Sequence, residues 1–180
     1  MRCRLVGSEM CIRDSLYNAF SQSVSKTVEY VQAVFNQVKV LYTAEDIDVV
    51  ISYIKVWDTP DSFQGEDSGE TIDNFQNYFL TEANLNGDLG HLVAFDAGGN
   101  GGVARGIDVL CTREDLQLAY SDISTSFQNV PNYSFTVMVV THEMGHNIGS
   151  PHTHGCYWNG NGTQIDDCAS VGGNLSLIHI

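Results

Sequence analysis

Positive charge is scarce in this chain: eight Lys and Arg stand against 22 Asp and Glu, for a formal net charge of -14. Binding to nucleic acid needs a basic surface, so the balance speaks against such a partner. Acidity of this kind suits a soluble, secreted protein and by itself names no substrate. No run of 18 apolar residues occurs, so no membrane-spanning helix is expected. No internal repeat or low-complexity tract interrupts the 180 residues, which suffice for one domain with a real core and are too few for two comfortable ones.

Two further absences narrow the chemistry. Asp96 to Gly106, DAGGNGGVARG, is rich in glycine but lacks the Gly-Lys-Ser/Thr ending of a phosphate-binding loop, and no helical pattern follows it. It reads as a flexible turn leading into an edge strand, Val103 to Leu110. Near the C-terminus, Asn159, Asn161, Asp166 and Asp167 offer oxygen ligands, yet no D-x-[DN]-x-[DN]-G pattern appears, and a calcium site is unsupported. Tyr157 and Trp158 beside them read as loop anchors, with a wall of a cleft as the alternative.

What the chain does hold is THEMGHNIGSPHTHGC, Thr141 to Cys156, in which His142, Glu143, His146, Gly149 and His152 fall at H-E-x-x-H-x-x-G-x-x-H spacing. A chance match of these five positions at any start is on the order of 10⁻⁵ for this composition. Four residues turn a helix by about 400° and raise it about 6 Å, so His142 and His146 share one face and both imidazoles can reach one ion. Continuing the helix to residue 152 would put that side chain roughly 240° away from them, so the helix has to stop. Gly149 accepts a left-handed ending and Pro151 prevents resumption, which lets the returning chain bring His152 in as a third ligand. Three neutral imidazoles around zinc leave a fourth position for water, whose pKa the ion lowers to about 7. Glu143 is offset by about 100° from the first ligand, placed to take the proton from that water and pass it to a leaving amine. A closed structural zinc site, with His154 or Cys156 as fourth ligand, is the competing assignment, but it has no need of a base.

On these residues the stretch resembles the metzincin metallopeptidases, and HEMGHNIGSPHTHGC followed by WNGNGTQIDDC resembles their reprolysin-like branch, particularly its bacterial secreted members. The resemblance covers residues 16 to 174 and is tightest over 141 to 168. It implies a zinc-dependent endopeptidase acting on a polypeptide, and a secreted or cell-surface location. It also implies an edge strand that pairs with extended substrate, with Gly102, Val103, Ala104, Arg105, Gly106 and Ile107 bordering the cleft. Two departures stand out: Thr153 occupies a position where the best-known branch has Asp, and no methionine follows the motif to form the turn that floors the family's metal site. A non-catalytic, zinc-stabilised adhesion module, or a fragment that binds zinc without cleaving, is the alternative reading.

The two ends of the chain look foreign. Met1 to Ser15, MRCRLVGSEMCIRDS, and residues 175–180 resemble translated sequencing-adapter read-through, and both are expected to stand outside the fold. Residues 16–174 then form a catalytic domain incomplete at its C-terminus, which accounts for the missing methionine. Of the three remaining cysteines, Cys156 and Cys168 flank a polar loop and are expected to form a disulfide, and the family resemblance implies a mate for Cys111 beyond the break; free thiols are the alternative.

Periodicity supplies the rest. Apolar residues recur at helical steps from Ser21 to Tyr42 and from Glu70 to Leu85, where Asn86-Gly87 marks an end. Ile47 to Trp57 and Leu89 to Phe95 read as strands, the second carrying His91 as a strand-face residue rather than a ligand. Cys111 to Pro131 reads as an irregular connection, and Ser134 to Ile148 as the site helix, with Phe135, Met138, Val139 and Ile148 available for its buried side. The order predicts an α/β domain of metzincin-like type: a twisted mixed sheet, packed helices, an active-site helix and an irregular lower subdomain that is largely missing.

Overall fold

The computed structural model describes residues 5–95, 101–156 and 162–167. One five-stranded sheet runs in the order β2-β1-β3-β5-β4, from β1 (Leu5–Ile12), β2 (Asp48–Val56), β3 (Leu89–Ala94), β4 (Gly102–Ala104) and β5 (Leu118–Asp122). The first four neighbours pair in parallel, and β4 closes one edge antiparallel to β5. The helices are α1 (Asp14–Ala19), α2 (Val24–Ala44), α3 (Ser68–Thr81) and α4 (Phe135–Ile148). This is the mixed α/β sheet that the order of elements predicts.

Strand alternation sorts the core into two halves. Val6, Met10 and Ile12 of β1, with Leu89 and Val93 of β3, face α2 and α4, where Val34, Phe35, Val38, Val140 and Met144 meet them. Cys11, Leu92, Leu118 and Tyr120 point the other way, against Ile72 and Phe75 of α3 and against Phe63. Covered on both sides, β3 and β5 are buried at every position, as parallel strands in the middle of a sheet are.

Of the N-terminal segment expected to stand outside the fold, residues 5–15 lie within it, while residues 1–4 and the tail at 175–180 lie outside the described residues. Leu5–Ile12 is a central strand with β2 on one side and β3 on the other, and Val6, Met10 and Ile12 are buried. The strand LVGSEMCI carries Glu9 into the interior. That carboxylate is buried but satisfied, accepting from the Asn86 main-chain N–H at 2.6 Å and its Nδ2 at 3.2 Å. Arg13, buried just after the strand, is matched by Asp61 at 3.1 Å, and the same carboxylate accepts from the amides of Asp14 and Phe63.

Other boundaries move for local reasons. The helix expected from Ser21 starts at Val24, because Ser21 and Gln22 are left-handed (φ 59° and 58°) and Ser23 caps the first turn by accepting from the Lys26 amide. In α3 the Asp67 carboxylate caps the Glu70 amide, while Glu70 accepts from the Glu66 amide, so the helix opens two residues earlier than expected. It ends at Thr81 rather than Leu85. Asn86-Gly87 is held over the sheet by Glu9, where a Cβ on Gly87 would meet the Gly7 carbonyl oxygen at 2.6 Å.

Candidate metal centre

In the site helix α4 every residue from Val139 to Asn147 is buried, the polar ones included. Of the expected packing residues Val139 is buried and Ile148 packs half-buried against the core, while Phe135 is exposed; Val137, Val140 and Met144 complete the buried side. α2 supports it from behind, where the buried Tyr42 hydroxyl donates to the Thr141 carbonyl at 2.7 Å, one residue before the first histidine. The helix stops where the spacing requires. Gly149 has φ 124°, its N–H reaches the carbonyls of Gly145 and His146 at 3.0 Å each, and the Ser150 N–H reaches Gly145 at 2.8 Å.

After that bend His152 returns to the other two rings. The ring centroids of His142 and His146 are 4.5 Å apart, His146 and His152 4.6 Å, and His142 and His152 5.5 Å. Their ligand atoms lie within 4.8 Å of one another, and among the described residues this is the one group of three or more metal-ligating side chains. Two Zn–N bonds span about 4 Å at most, so bonding to one ion draws the widest pair slightly inwards.

The donor set suits a metal. His146 Nδ1 lies 2.6 Å from the Ser150 carbonyl oxygen, which can only accept, so the proton sits on Nδ1 and Nε2 keeps its lone pair. Nδ1 of His142 is buried without a hydrogen-bond partner among the described residues, the kind of atom that an ion or ordered water satisfies. Burial, reinforced by repulsion from His146 and His152, lowers His142 to about 3. His152 falls to about 4 for the same first reason, with His146 and His154 adding to it, and burial lowers His146 as well. All three are therefore neutral near pH 7, the form that binds a metal.

Glu143 is 6 % exposed and looks towards the sheet edge. Burial pushes its carboxyl up to about 8, opposed by the hydrogen bond it accepts from the Ala104 amide. Of the six residues expected to border a cleft, the structure brings Gly102 and Ala104 to Glu143 and turns Arg105 away: its guanidinium pairs with Asp73 at 2.6 Å and donates to Gln76 Oε1 at 2.8 Å on α3. Val103 belongs to the core face with α3, and Ile107 is exposed.

The edge strand is three residues long, not the expected Val103 to Leu110. Residues 106–110 leave the sheet to cap the site helix. The Asp108 N–H donates to the His146 carbonyl at 3.0 Å, and those of Val109 and Leu110 donate to the Asn147 carbonyl at 3.1 and 3.3 Å. Asn147 Nδ2 returns the contact, donating to the Gly106 carbonyl at 2.9 Å and to that of Leu118 at 3.4 Å. Reading the spacing passed over Asn147 and the cap loop. The signal for both was the asparagine directly after the second histidine, since a buried amide there needs partners.

His91 is on β3, fully buried, with Nε2 2.9 Å from Ser121 Oγ, and it takes no part in the cluster. Cys156 is an exposed free cysteine and Cys168 lies outside the described residues, so the expected disulfide gains no support. Tyr157, Trp158, Asn159 and Asn161, with residues 96–100 of the glycine-rich turn, also lie outside them. Asp166 and Asp167 join no metal-ligating group among the described residues, and calcium remains unsupported.

A trio of neutral imidazoles, two buried on one turn of a helix and the third half-buried beyond a glycine bend, has the arrangement of a metal centre of the metallopeptidase class. The chain belongs to metallo-peptidase family M12, whose Reprolysin_5 model matches residues 4–174, a span that includes β1. Among solved structures it is similar in fold to metalloproteinase-II from Bacteroides fragilis, with a TM-score of 0.53 at 22% identity, over 83% of this chain and 44% of that one. The chain thus spans less than half the length of that relative.

Proposed function

We propose that this domain is a zinc-dependent endopeptidase, in which His142, His146 and His152 hold the ion and Glu143 is the proton carrier. The observation that carries the reading is the convergence of the three imidazoles with Glu143 on the next helical position. Zinc, when bound, supplies positive charge that polarises a substrate carbonyl and acidifies water. Glu143 takes the proton of the attacking water on its carboxylate, holds it at a buried position and returns it to the leaving amine. Burial, which raises the affinity of this carboxyl for a proton, favours the step in which it holds the proton before passing it on. The polypeptide lies along the outer edge of β4, where main-chain groups turn away from β5 and, the Ala104 N–H held by Glu143 apart, can take part in strand addition.

The test is Glu143→Gln in the zinc-loaded protein, followed with an internally quenched peptide. The amide keeps the shape and cannot take up the proton, so turnover should fall by about 10²- to 10⁴-fold with zinc retained. Unchanged turnover removes Glu143 from the role, and absence of cleavage by the parent protein removes the peptidase reading.

A further inference from the structure

Glycine at position 102 is there for room, not for backbone freedom. Gly102 is not among the residues with positive φ, so any side chain could adopt its backbone. A Cβ at this position, however, would lie 2.7 Å from both Cγ and Oε1 of Glu143 and 2.8 Å from Cγ2 of Val139. Ordinary contact for such atoms begins near 3.5 Å, so something would have to move by roughly 1 Å.

The surroundings decide what moves. In the β4–β5 pair, Val103 is in register with Tyr120, the Arg105 N–H donates to the Leu118 carbonyl at 2.8 Å, and the Asp122 N–H donates to that of Gly101 at 2.8 Å. Alternation then turns the main-chain groups of Gly102 and Ala104 away from β5. Ala104 uses its N–H to hold the Glu143 carboxylate. The strand is tied to β5 by these main-chain bonds, and Arg105 is paired in addition with Asp73 and Gln76 of α3, whose Nε2 donates to the Asp115 carbonyl at 2.6 Å. Val139 is one helical turn before Glu143 and is β-branched, with a stiff first torsion in a helix. The flexible neighbour is Glu143.

We infer that Gly102 is a positioning residue for Glu143: the absent side chain at 102 and the amide of Ala104 form a mould that fixes where the carboxyl sits relative to the three histidines. The assignment rests on the proposed role of Glu143 and adds to it. β4 then has two duties, since the strand that borders the cleft with its edge also sets the proton carrier with its helix-facing side. Because the missing Cβ points at α4 and not along the outer edge, filling the space should disturb the chemical step and leave substrate pairing alone.

The decisive variant is Gly102→Ala in the full, zinc-loaded chain. A displacement of this size predicts a fall in kcat of about 100-fold, with KM and zinc affinity, read by competition with a fluorescent chelator, each within about twofold of the parent. A kcat within twofold of the parent overturns the inference. The new methyl also touches Val139, so the substitution is repeated in a Val139→Ala background with that single variant as reference. A comparable fall supports the assignment; a fall that disappears there assigns the contact to Val139 and overturns it. A third measurement needs no activity. In metal-free protein, Gly102→Ala should lower the Tm by clearly more in the parent than in a Glu143→Ala background, whereas equal drops show that the two positions do not touch. If Glu143→Gln leaves turnover intact, the role given to Glu143 fails, and the stability comparison still decides whether Gly102 moulds its position.

Discussion

β1 and α4 are both buried, both carry polar side chains into the interior, and only one of them announces itself in the sequence. In α4 the polar residues answer to one another at fixed helical intervals, so His142, His146 and His152 can be placed together by counting. In β1 and its exit the polar residues answer to distant segments: Glu9 to Asn86, and Arg13 to Asp61. A local pattern cannot show such a pairing. What the comparison teaches is that burial of charge reads as chemistry when its partners are near in sequence and as misfit when they are far.

The contrast is sharpest where each region is broken separately. His146→Ala should reduce zinc affinity by more than the roughly 100-fold that loss of an outer partner costs, while the urea midpoint of the metal-free protein moves little. A large drop in that midpoint would make the trio structural. Asp61→Ala should do the reverse. It takes the buried carboxylate away from the buried Arg13 guanidinium and should cost about 3–5 kcal/mol in urea unfolding, with zinc affinity per folded molecule unchanged.

Legibility followed the same division elsewhere. The α/β class, the site helix and its glycine stop were readable, because each rests on neighbours in sequence. β5 was not, since LAYSD ends in Ser121 and Asp122, which look like a loop. Both are buried, Ser121 against His91. The cap loop was not readable either, because its hydrogen-bond acceptors are the carbonyls of a helix 37 or more residues away, as between Asp108 and His146.

Acid should act on the sheet as well as on the site, by a smaller margin. Burial lowers His91 to about 3 from a usual 6.5, so the native state keeps it neutral while the unfolded chain takes up a proton below 6.5. The unfolded state binds more protons, and stability therefore falls as pH drops from about 6.5 towards 3. The His91 contribution to the loss is about 2 kcal/mol between pH 7 and 5, and at most about 5 kcal/mol in all. Urea unfolding of the parent and His91→Gln at the two pH values measures it; parallel slopes would show that His91 is not the group responsible.

The smallest effect is expected where the two regions are stitched together. Tyr42→Phe removes the buried hydroxyl that donates to the Thr141 carbonyl and should cost about 1–2 kcal/mol, since that carbonyl then lacks its donor. If zinc affinity falls with it by several fold, α2 is steadying the first ligand as well as the fold.

The loop at residues 106–110 has a practical consequence. Because the amide of Asp108 is clasped to the carbonyl of His146, a dye attached at the neighbouring Ile107, 52% exposed, sits on a short lever from the ligand cluster. Its fluorescence would report occupancy of the site from outside, without a substrate and without touching any group that binds the ion.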